Sequence, residues 1–185
     1  MGWCVRMIPS ILVWLPAFYD VAMKSVYLLA ALVFIATSAY AAGAWTGLVE
    51  YVVDGDTLHV RPIGGGPLRR VRLEGLDAPE ICQPWGPQAR QALAQHVLHH
   101  RVQVQSRAQD DYGRLVARVR VEGVDIGAWM VTQGNAWSYR WQARKGRYDR
   151  QEGAARVQAR GLFASGNAER PGDFRRRHGS CYPGR

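Results

Sequence analysis

Charged side chains of both signs are gathered in one short stretch, RLEGLDAPE, which contains Arg72, Asp77 and Glu80. A further acid, Asp56, lies in the turn sequence VVDGDT, and a further arginine, Arg114, ends the sequence DDYGR. Two carboxylates, a backbone carbonyl and water can hold a hard divalent cation such as Ca²⁺. Arginine side chains neutralise the charge on a phosphorane, and another carboxylate can orient or deprotonate water. Together these residue types predict metal-assisted hydrolysis of a phosphodiester.

The hydrophobic pattern predicts a small β-barrel that could bring these residues together. WTGLVEYVVDGDTLHVRP alternates apolar residues around a turn at Asp54–Asp56, which is typical of a β-hairpin. LRRVRLEGL, RVQVQSR and RLVARVRVEG predict three more strands, whereas Pro87–His99, VDIGAWMVTQG and YDRQEGAARVQARG predict helices. We therefore expect an α+β fold, a five-stranded Greek-key barrel with about three packed helices. Asp56 and Asp77 each follow a strand or turn end and can reach the same mouth of that barrel.

The chain is strongly basic, and arginine carries nearly all of the positive charge. Its 24 Lys and Arg residues exceed its 15 Asp and Glu residues, which gives a formal net charge of +9 and a pI near 10.0. Lys24 and Lys145 are the only lysines. An arginine-rich surface favours bidentate contacts with phosphates or carboxylates. A basic exported protein without an anionic partner is the alternative on charge alone.

The first 41 residues are typical of a leader rather than of the folded domain. From Met23 the chain reads MKSVYLLAALVFIATSAYA, a lysine and an apolar run followed by an A-x-A cleavage site. The apolar run is shorter than the roughly 20 residues of a membrane span, so an uncleaved anchor is the weaker alternative. Met23 is a second plausible start, and a long leader is the other interpretation. We expect an exported protein, either periplasmic or extracellular.

Removing the leader leaves two cysteines, Cys82 and Cys181. In an oxidising compartment two lone cysteines most simply pair with each other, although two free thiols and an intermolecular bridge are alternatives. Residues 166–185 show no clear periodicity, and we expect them to form an irregular C-terminal arm. A Cys82–Cys181 bond would tie this arm behind the Asp77–Glu80 turn and bring the arginines at 175–177 near the cleft.

The chain from about Trp45 to Ala164 resembles the thermonuclease family, the staphylococcal-nuclease-like domain. The resemblance rests on the order and spacing of VVDGDT, RLEGLDAPE, GPQA, DDYGR and MVTQGNAW. It implies an OB-fold-like barrel within residues 42–165 and a calcium-dependent (Ca²⁺) endonuclease that acts on DNA and RNA. OB barrels bind nucleic acid across one strand face and its bordering loops.

The resemblance also implies a role for individual residues. Asp56 and Asp77 correspond to the calcium carboxylates, and the Ala78 carbonyl to a third protein ligand. The catalytic residues that it implies are Arg72, Glu80 and Arg114.

The expected contacts with substrate depart in part from the family pattern. Tyr112 is retained in the K-Y-G-R turn, but Asp111 replaces the lysine that contacts a terminal phosphate in family members. Tyr139 and Trp141 are shifted aromatic candidates for base contacts, and Arg140 is a candidate for phosphate contact. The expected substrates are single-stranded DNA and RNA, bound by a monomer that has no stable protein partner.

Two other functional classes remain possible from the sequence. The same barrel could be a catalytically inactive OB-type module that binds nucleic acid or protein. Alternatively, the basic surface could serve a structural role at an anionic cell envelope, but this leaves Asp56, Asp77 and Glu80 unexplained.

Overall fold

The computed structural model describes residues 43–140, 142, 144–179 and 181. The leader at residues 1–41 and Trp141 lie outside these described residues, so their predictions stay predictions. None of the helices in the described part of the chain is long and apolar enough to cross a membrane.

Five strands close into a barrel, as the sequence predicts. The strands in the described residues are β1 Ala44–Val52, β2 Thr57–Pro62, β3 Arg69–Leu73, β4 Leu76–Asp77, β5 Arg101–Gln109, β6 Leu115–Val121, β7 Val124–Asp125 and β8 Trp137–Ser138. The sheet order is β3-β2-β1-β5-β6 with β7 at the edge, and neighbouring strands in this order are antiparallel. A parallel pairing of β3 with β6 closes the barrel. The α+β, OB-fold-like class is therefore confirmed.

The barrel interior is filled by β-branched side chains from alternate strand positions. Val49, Val60, Val71, Val104 and Val119 come from five different strands and are almost completely buried. Branched side chains suit the pleated surface of a strand, and their burial is the main favourable contribution to folding. A rigid barrel therefore supports the turns that carry the charged residues.

Four α-helices surround the barrel in the described part of the chain: α1 Gly86–Val97, α2 Ile126–Thr132, α3 Asp149–Val157 and α4 Pro171–His178. A 3-10 helix, Gly161–Ser165, lies between α3 and α4. In α1, Ala89, Leu93 and Val97 recur every four residues and are fully buried, as an amphipathic helix requires. A Cβ atom at Gly86 would collide with the main chain of Glu80. The glycine therefore allows α1 to begin directly against the Glu80 turn.

The prediction of an irregular arm over residues 166–185 is wrong for its central part, which forms α4. Pro171 begins this helix, Phe174 packs inward, and the last turn is basic, which suits the negative end of the helix dipole. Eight residues give barely two turns, so the sequence carries too little periodicity to reveal the helix.

A disulfide, a buried aromatic side chain and a side-chain hydrogen bond are among the contacts that hold α4 and the chain around it to the rest of the domain. Cys82 and Cys181 form a disulfide with their Cα atoms 5.7 Å apart, which is the pairing that we expected from the sequence. Phe174 is 8% exposed. The amide of Gln83 donates to the Glu169 carbonyl at 2.7 Å.

Replacing both cysteines with serine is expected to lower the free energy of unfolding. The disulfide joins residues 99 positions apart, and closing a loop of that length is worth at most about 4–5 kcal/mol in the chain-entropy model. The expected loss is smaller, about 2–4 kcal/mol, because Phe174 and Gln83 still hold α4. Unfolding of the wild type and of the double serine variant in guanidinium chloride measures this loss, with the reduced wild type as the control. An unchanged midpoint, or two free thiols in the unreduced wild type, would contradict the expectation.

Candidate active site

Most of the residues singled out in the sequence line one cleft of about 730 Å³. The cleft lies between the β1–β2 turn, the chain around β3 and β4, the β5–β6 turn and α4. The charged and aromatic residues that line it are Asp54, Asp56, Arg70, Arg72, Glu74, Glu80, Asp110, Asp111, Tyr112, Arg114, Tyr139 and Arg175. Ala78 also lines it, and Asp77 is joined to it through Arg72.

Arg72 bridges the two carboxylates that the resemblance assigns to a metal ion. Its Nη1 lies 2.8 Å from Asp56 Oδ2, and its Nη2 lies 3.1 Å from Asp77 Oδ1. Burial acts to lower the pKa of Arg72, but the charges of Asp56 and Asp77 outweigh it and raise that pKa above its usual value. The guanidinium therefore remains charged and pairs with both carboxylates, one through each Nη atom.

The β1–β2 turn places Asp56 by close packing and by hydrogen bonds. A Cβ atom at Gly55 would lie 2.7 Å from the Cβ of Ala78, so only glycine lets the turn approach this closely. The Thr57 hydroxyl donates to Asp56 Oδ1 at 2.9 Å, and the Ala78 amide donates to Oδ2 at 3.4 Å. The Leu73 amide donates to the Asp56 carbonyl at 2.8 Å.

A two-stranded sheet that the sequence did not predict places Asp77. The short strand β4 pairs antiparallel with β8, so Asp77 lies opposite Trp137 and Leu76 lies opposite Ser138. Two-residue strands have no readable periodicity, but this pairing fixes the chain that leads from β3 into the Ala78–Glu80 turn.

The three aspartates near Arg72 concentrate negative charge in a buried place. Burial and then the charge of Asp56 raise the pKa of Asp77, although Arg72 and Arg175 oppose this. Burial and Asp56 also raise the pKa of Asp54, to about 7. Carboxylates that are buried side by side are destabilised as anions, and an added cation relieves that repulsion.

The donor chemistry fits a hard divalent ion. Within the described residues, no group of three or more His, Cys, Asp or Glu side chains is arranged to hold a metal. The donors at this place are oxygens: two carboxylates, Asp56 and Asp77, beside the main chain of Ala78. Ca²⁺ accepts a mixture of carboxylate, carbonyl and water oxygens, so a site with few protein ligands and several waters suits it.

Asp54→Asn is expected to stabilise the protein at alkaline pH when metal is removed by a chelator. The raised pKa means that the folded state favours protonated Asp54, and this contribution is lost as the pH rises through about 7. Asparagine is neutral throughout and can still accept the hydrogen bond from the Asp56 amide, 3.0 Å long. We expect the melting temperature to rise by about 3–6 °C near pH 8.5 and by less near pH 5. Asp111→Asn, at an exposed acid of the same cleft, is the control. An equal rise in melting temperature at both pH values, or the same rise in Asp111→Asn, would contradict this expectation.

Arg114 enters the cleft from the start of β6. The parallel pairing of β3 with β6 sets Arg72 opposite Val116, and Arg114 immediately precedes β6, so the two arginines lie on neighbouring segments of the barrel. Arg114 Nε lies 2.8 Å from Asp110 Oδ2, and its Nη1 lies 3.4 Å from the Thr57 hydroxyl. Asp110 thereby orients the guanidinium toward the Asp56 turn. The sequence analysis did not identify this role of Asp110, although its place in DDYGR is a turn position.

Glu80 is held by its main chain and by a residue from the C-terminal arm. Its amide donates to Gln83 Oε1 at 3.1 Å, and its Oε1 accepts from Arg175 Nη1 at 2.5 Å. Of the three arginines that we expected near the cleft, Arg175 lines it. Arg176 instead pairs with Asp173, and Arg177 with Glu169.

The structure separates the expected substrate-binding residues. Tyr112, 70% exposed, and Tyr139, 42% exposed, line the cleft, and the Arg114 guanidinium lies 5.4 Å from the centre of the Tyr112 ring. Arg140 does not line it, because its Nε lies 3.0 Å from Asp149 and its Nη2 lies 3.6 Å from the buried Glu152. An unpaired buried carboxylate would lower the stability of the fold, and Glu152 accordingly forms ion pairs with nearby arginines, Arg140 among them.

The sequence profile described as Staphylococcal nuclease homologue matches residues 70–165. The chain belongs to this family. It is 34% identical to the micrococcal nuclease of Shigella flexneri over 169 residues, which cover 84% of this chain and 94% of that protein. It is 32% identical to an uncharacterized endonuclease of Haemophilus influenzae, over 78% of this chain and 81% of that protein.

Longer relatives match over a smaller part of the chain. A probable staphylococcal-like nuclease of Oryza sativa is 36% identical over 107 residues, 58% of this chain. The chain spans less than a third of the length of such rice relatives, 29% and 28% in two cases. The similarity there leaves most of the rice proteins unmatched.

Proposed function

We propose that this chain is an endonuclease that hydrolyses phosphodiester bonds in DNA and RNA and that depends on Ca²⁺. One observation carries the proposal: Arg72, Glu80 and Arg114 line the same cleft as Asp56, with Asp77 tied to it through Arg72. Membership of the staphylococcal nuclease family and the nuclease names of its relatives support the reaction class. The oxygen donors support the choice of a hard cation.

The chain's own residues provide most of the required chemistry. Glu80 accepts a proton from the attacking water or orients it, as a carboxylate at the cleft surface can. Arg72 and Arg114 donate to the non-bridging phosphate oxygens, where negative charge builds up. Asp56, Asp77 and the Ala78 carbonyl would hold Ca²⁺, which when bound supplies positive charge beside the phosphate.

The direct test is incubation of the protein, without residues 1–41, with a labelled single-stranded oligonucleotide in Ca²⁺ or in chelator. Cleavage that requires Ca²⁺ supports the proposal. A gel shift without cleavage in either condition would instead identify an inactive OB-type binding module. Neither cleavage nor binding would favour the structural envelope role.

Asp77→Asn is expected to weaken Ca²⁺ binding by at least about tenfold, because one of the two ligand charges is lost. Isothermal titration with Ca²⁺ measures this independently of activity. Glu122→Gln, a surface carboxylate on the β6–β7 turn, is the matched control and should bind like wild type. Mg²⁺ should support little cleavage, since it demands a tighter octahedral site. A Ca²⁺ titration unchanged in Asp77→Asn would contradict the ligand assignment.

We also propose that the protein is exported and acts as a monomer in the periplasm or outside the cell. The leader sequence and the Cys82–Cys181 disulfide support export, since such bonds persist in oxidising compartments. Cell fractionation with N-terminal sequencing of the mature protein tests it. An N-terminus at Met1 or Met23 in the cytoplasmic fraction would contradict it.

A further inference from the structure

Arg175 reaches the cleft from α4 and contacts two of its acids. Its Nη1 lies 2.5 Å from Glu80 Oε1, and its Nη2 lies 3.5 Å from Asp77 Oδ2. The side chain is 41% exposed, so it stands at the cleft surface rather than in the core. Burial acts to lower the pKa of Arg175, but the charges of Asp77 and Glu80 raise it. Arg175 also lies outside the range that the family profile matches, residues 70–165.

We propose that Arg175 is a positioning residue for the nuclease reaction: it holds the Glu80 carboxylate in place beside the Asp77 carboxylate. The proposal rests on the proposed function, because Glu80 is the residue through which Arg175 acts. Arg175 thereby adds a third arginine to the site, supplied from beyond the barrel and its first three helices.

The geometry explains why an arginine is needed here. Two carboxylates on one short turn repel each other, and the Glu80 side chain is slightly more exposed than that of Asp77, 18% against 12%. A guanidinium has two Nη groups in a fixed plane, so it can pair with one carboxylate through each. The Lys ammonium is a single point charge on a flexible stem and fixes such a pair less well.

One buried amide links the position of α4 to the Glu80 turn. Gln83 is 3% exposed; its Oε1 accepts from the Glu80 amide, and its Nε2 donates to the Glu169 carbonyl just before α4. Cys82, beside Gln83, is bonded to Cys181 just after α4. The chain on both sides of α4 is therefore tied to the turn that carries Glu80, so Arg175 meets Glu80 in a defined orientation.

The same contact has an opposite effect on cation binding. Arg175 places a positive charge 3.5 Å from the Asp77 oxygen, and this charge opposes a cation at Asp77. Removing it should strengthen Ca²⁺ binding even as it weakens the control of Glu80. An exposed charge contributes at most about 1 kcal/mol, which corresponds to about fivefold in affinity.

The experiment compares Arg175→Ala and Arg175→Lys with wild type and with Arg176→Ala. Arg176 is on the same helix, is 77% exposed and pairs with Asp173, so it is a matched control. For Arg175→Ala we expect kcat to fall by about tenfold or more, KM to change little, and the Ca²⁺ dissociation constant from calorimetry to fall by up to about fivefold. Arg175→Lys should recover part of kcat. Arg176→Ala should match wild type in each quantity.

Other outcomes would overturn the proposal in distinct ways. A higher kcat in Arg175→Ala would make the contact inhibitory, and a higher KM with unchanged kcat would make Arg175 a substrate contact. Weaker Ca²⁺ binding together with a lower melting temperature would reduce its role to folding. If the wild-type protein does not cleave the oligonucleotide, the proposed function fails. The effect of Arg175 on Ca²⁺ binding is tested separately by calorimetry. Equal Ca²⁺ affinities of Arg175→Ala and wild type would contradict the claim that Arg175 opposes a cation at Asp77.

Discussion

Glu80→Gln is expected to lower kcat by about 10²–10⁴-fold, the usual worth of a general base with its positioning of water. Glutamine has nearly the same shape and keeps an oxygen that can accept from Arg175, so the turn should not rearrange. The amide cannot take a proton from water, and this loss falls on the chemical step. Single-turnover cleavage of a labelled oligonucleotide at saturating Ca²⁺ measures the effect.

The matched control for this substitution is Glu74→Gln. Glu74 belongs to the same RLEGLDAPE stretch and lines the same cleft, but its Oε2 accepts from Arg118 Nε at 2.8 Å. We expect its kcat to stay within about threefold of wild type. Calcium binding and the melting temperature should be preserved in Glu80→Gln. Near-normal turnover in that variant would contradict the role of Glu80, whereas lost Ca²⁺ binding would move Glu80 into the metal site.

The barrel was predictable because its signal is local and repeated. Alternation along β1 and β2 and the D-G turn between them require only neighbouring residues to be read. A curled sheet of five strands closes when its first and last strands pair, here β3 with β6. This pairing brings Arg72 beside the strand that begins directly after Arg114. The site motifs were therefore readable because each charged residue lies at or near one end of a strand.

The parts that the sequence did not reveal depend on contacts between distant positions. Arg175 and Glu80 are 95 residues apart. The expected Cys82–Cys181 bond brought the arginines at 175–177 near the cleft, but no local pattern indicates which of the three contacts Glu80. Arg140 looked like a phosphate contact because it lies in an aromatic-rich stretch, but the buried Glu152 pairs with it. Pairing of a buried charge is a tertiary property, so local spacing carries no record of it.

The negative charge around Arg72 has a thermodynamic consequence beyond catalysis. Asp56 and Asp77 are 4% and 8% exposed, and Arg72 is an ion-pair partner of both. The site that is proposed to bind a cation is thus stabilised in this structure by a cation of the protein itself. Both the proposed reaction and the stability of the fold depend on the Arg72 side chain. We therefore expect the loss of Arg72 to affect both more strongly than the loss of any other site residue.

Arg72→Ala is expected to lower the free energy of unfolding by about 3–5 kcal/mol in chelator, because it leaves buried carboxylates without their partner. The pKa of Asp77, already raised by burial, should rise further. An acid with a raised folded-state pKa loses its stabilising contribution as the pH increases, so the deficit should be larger near pH 8 than near pH 5. Urea unfolding at both pH values measures this. If the loss of unfolding free energy in Arg72→Ala were the same at both pH values, the raised pKa of Asp77 would not explain it.

The same variant should lose activity by about 10²-fold or more even at a temperature where it is folded, because one of the two phosphate donors is gone. Arg72→Lys separates the two effects. It keeps the charge and should recover much of the stability, but it lacks the planar fork that reaches Asp56 and Asp77 through separate nitrogens. We expect Arg72→Lys to fold nearly as stably as wild type and to cleave at least about tenfold more slowly. Full activity in Arg72→Lys would show that charge alone suffices and that the bidentate geometry has no role in the reaction.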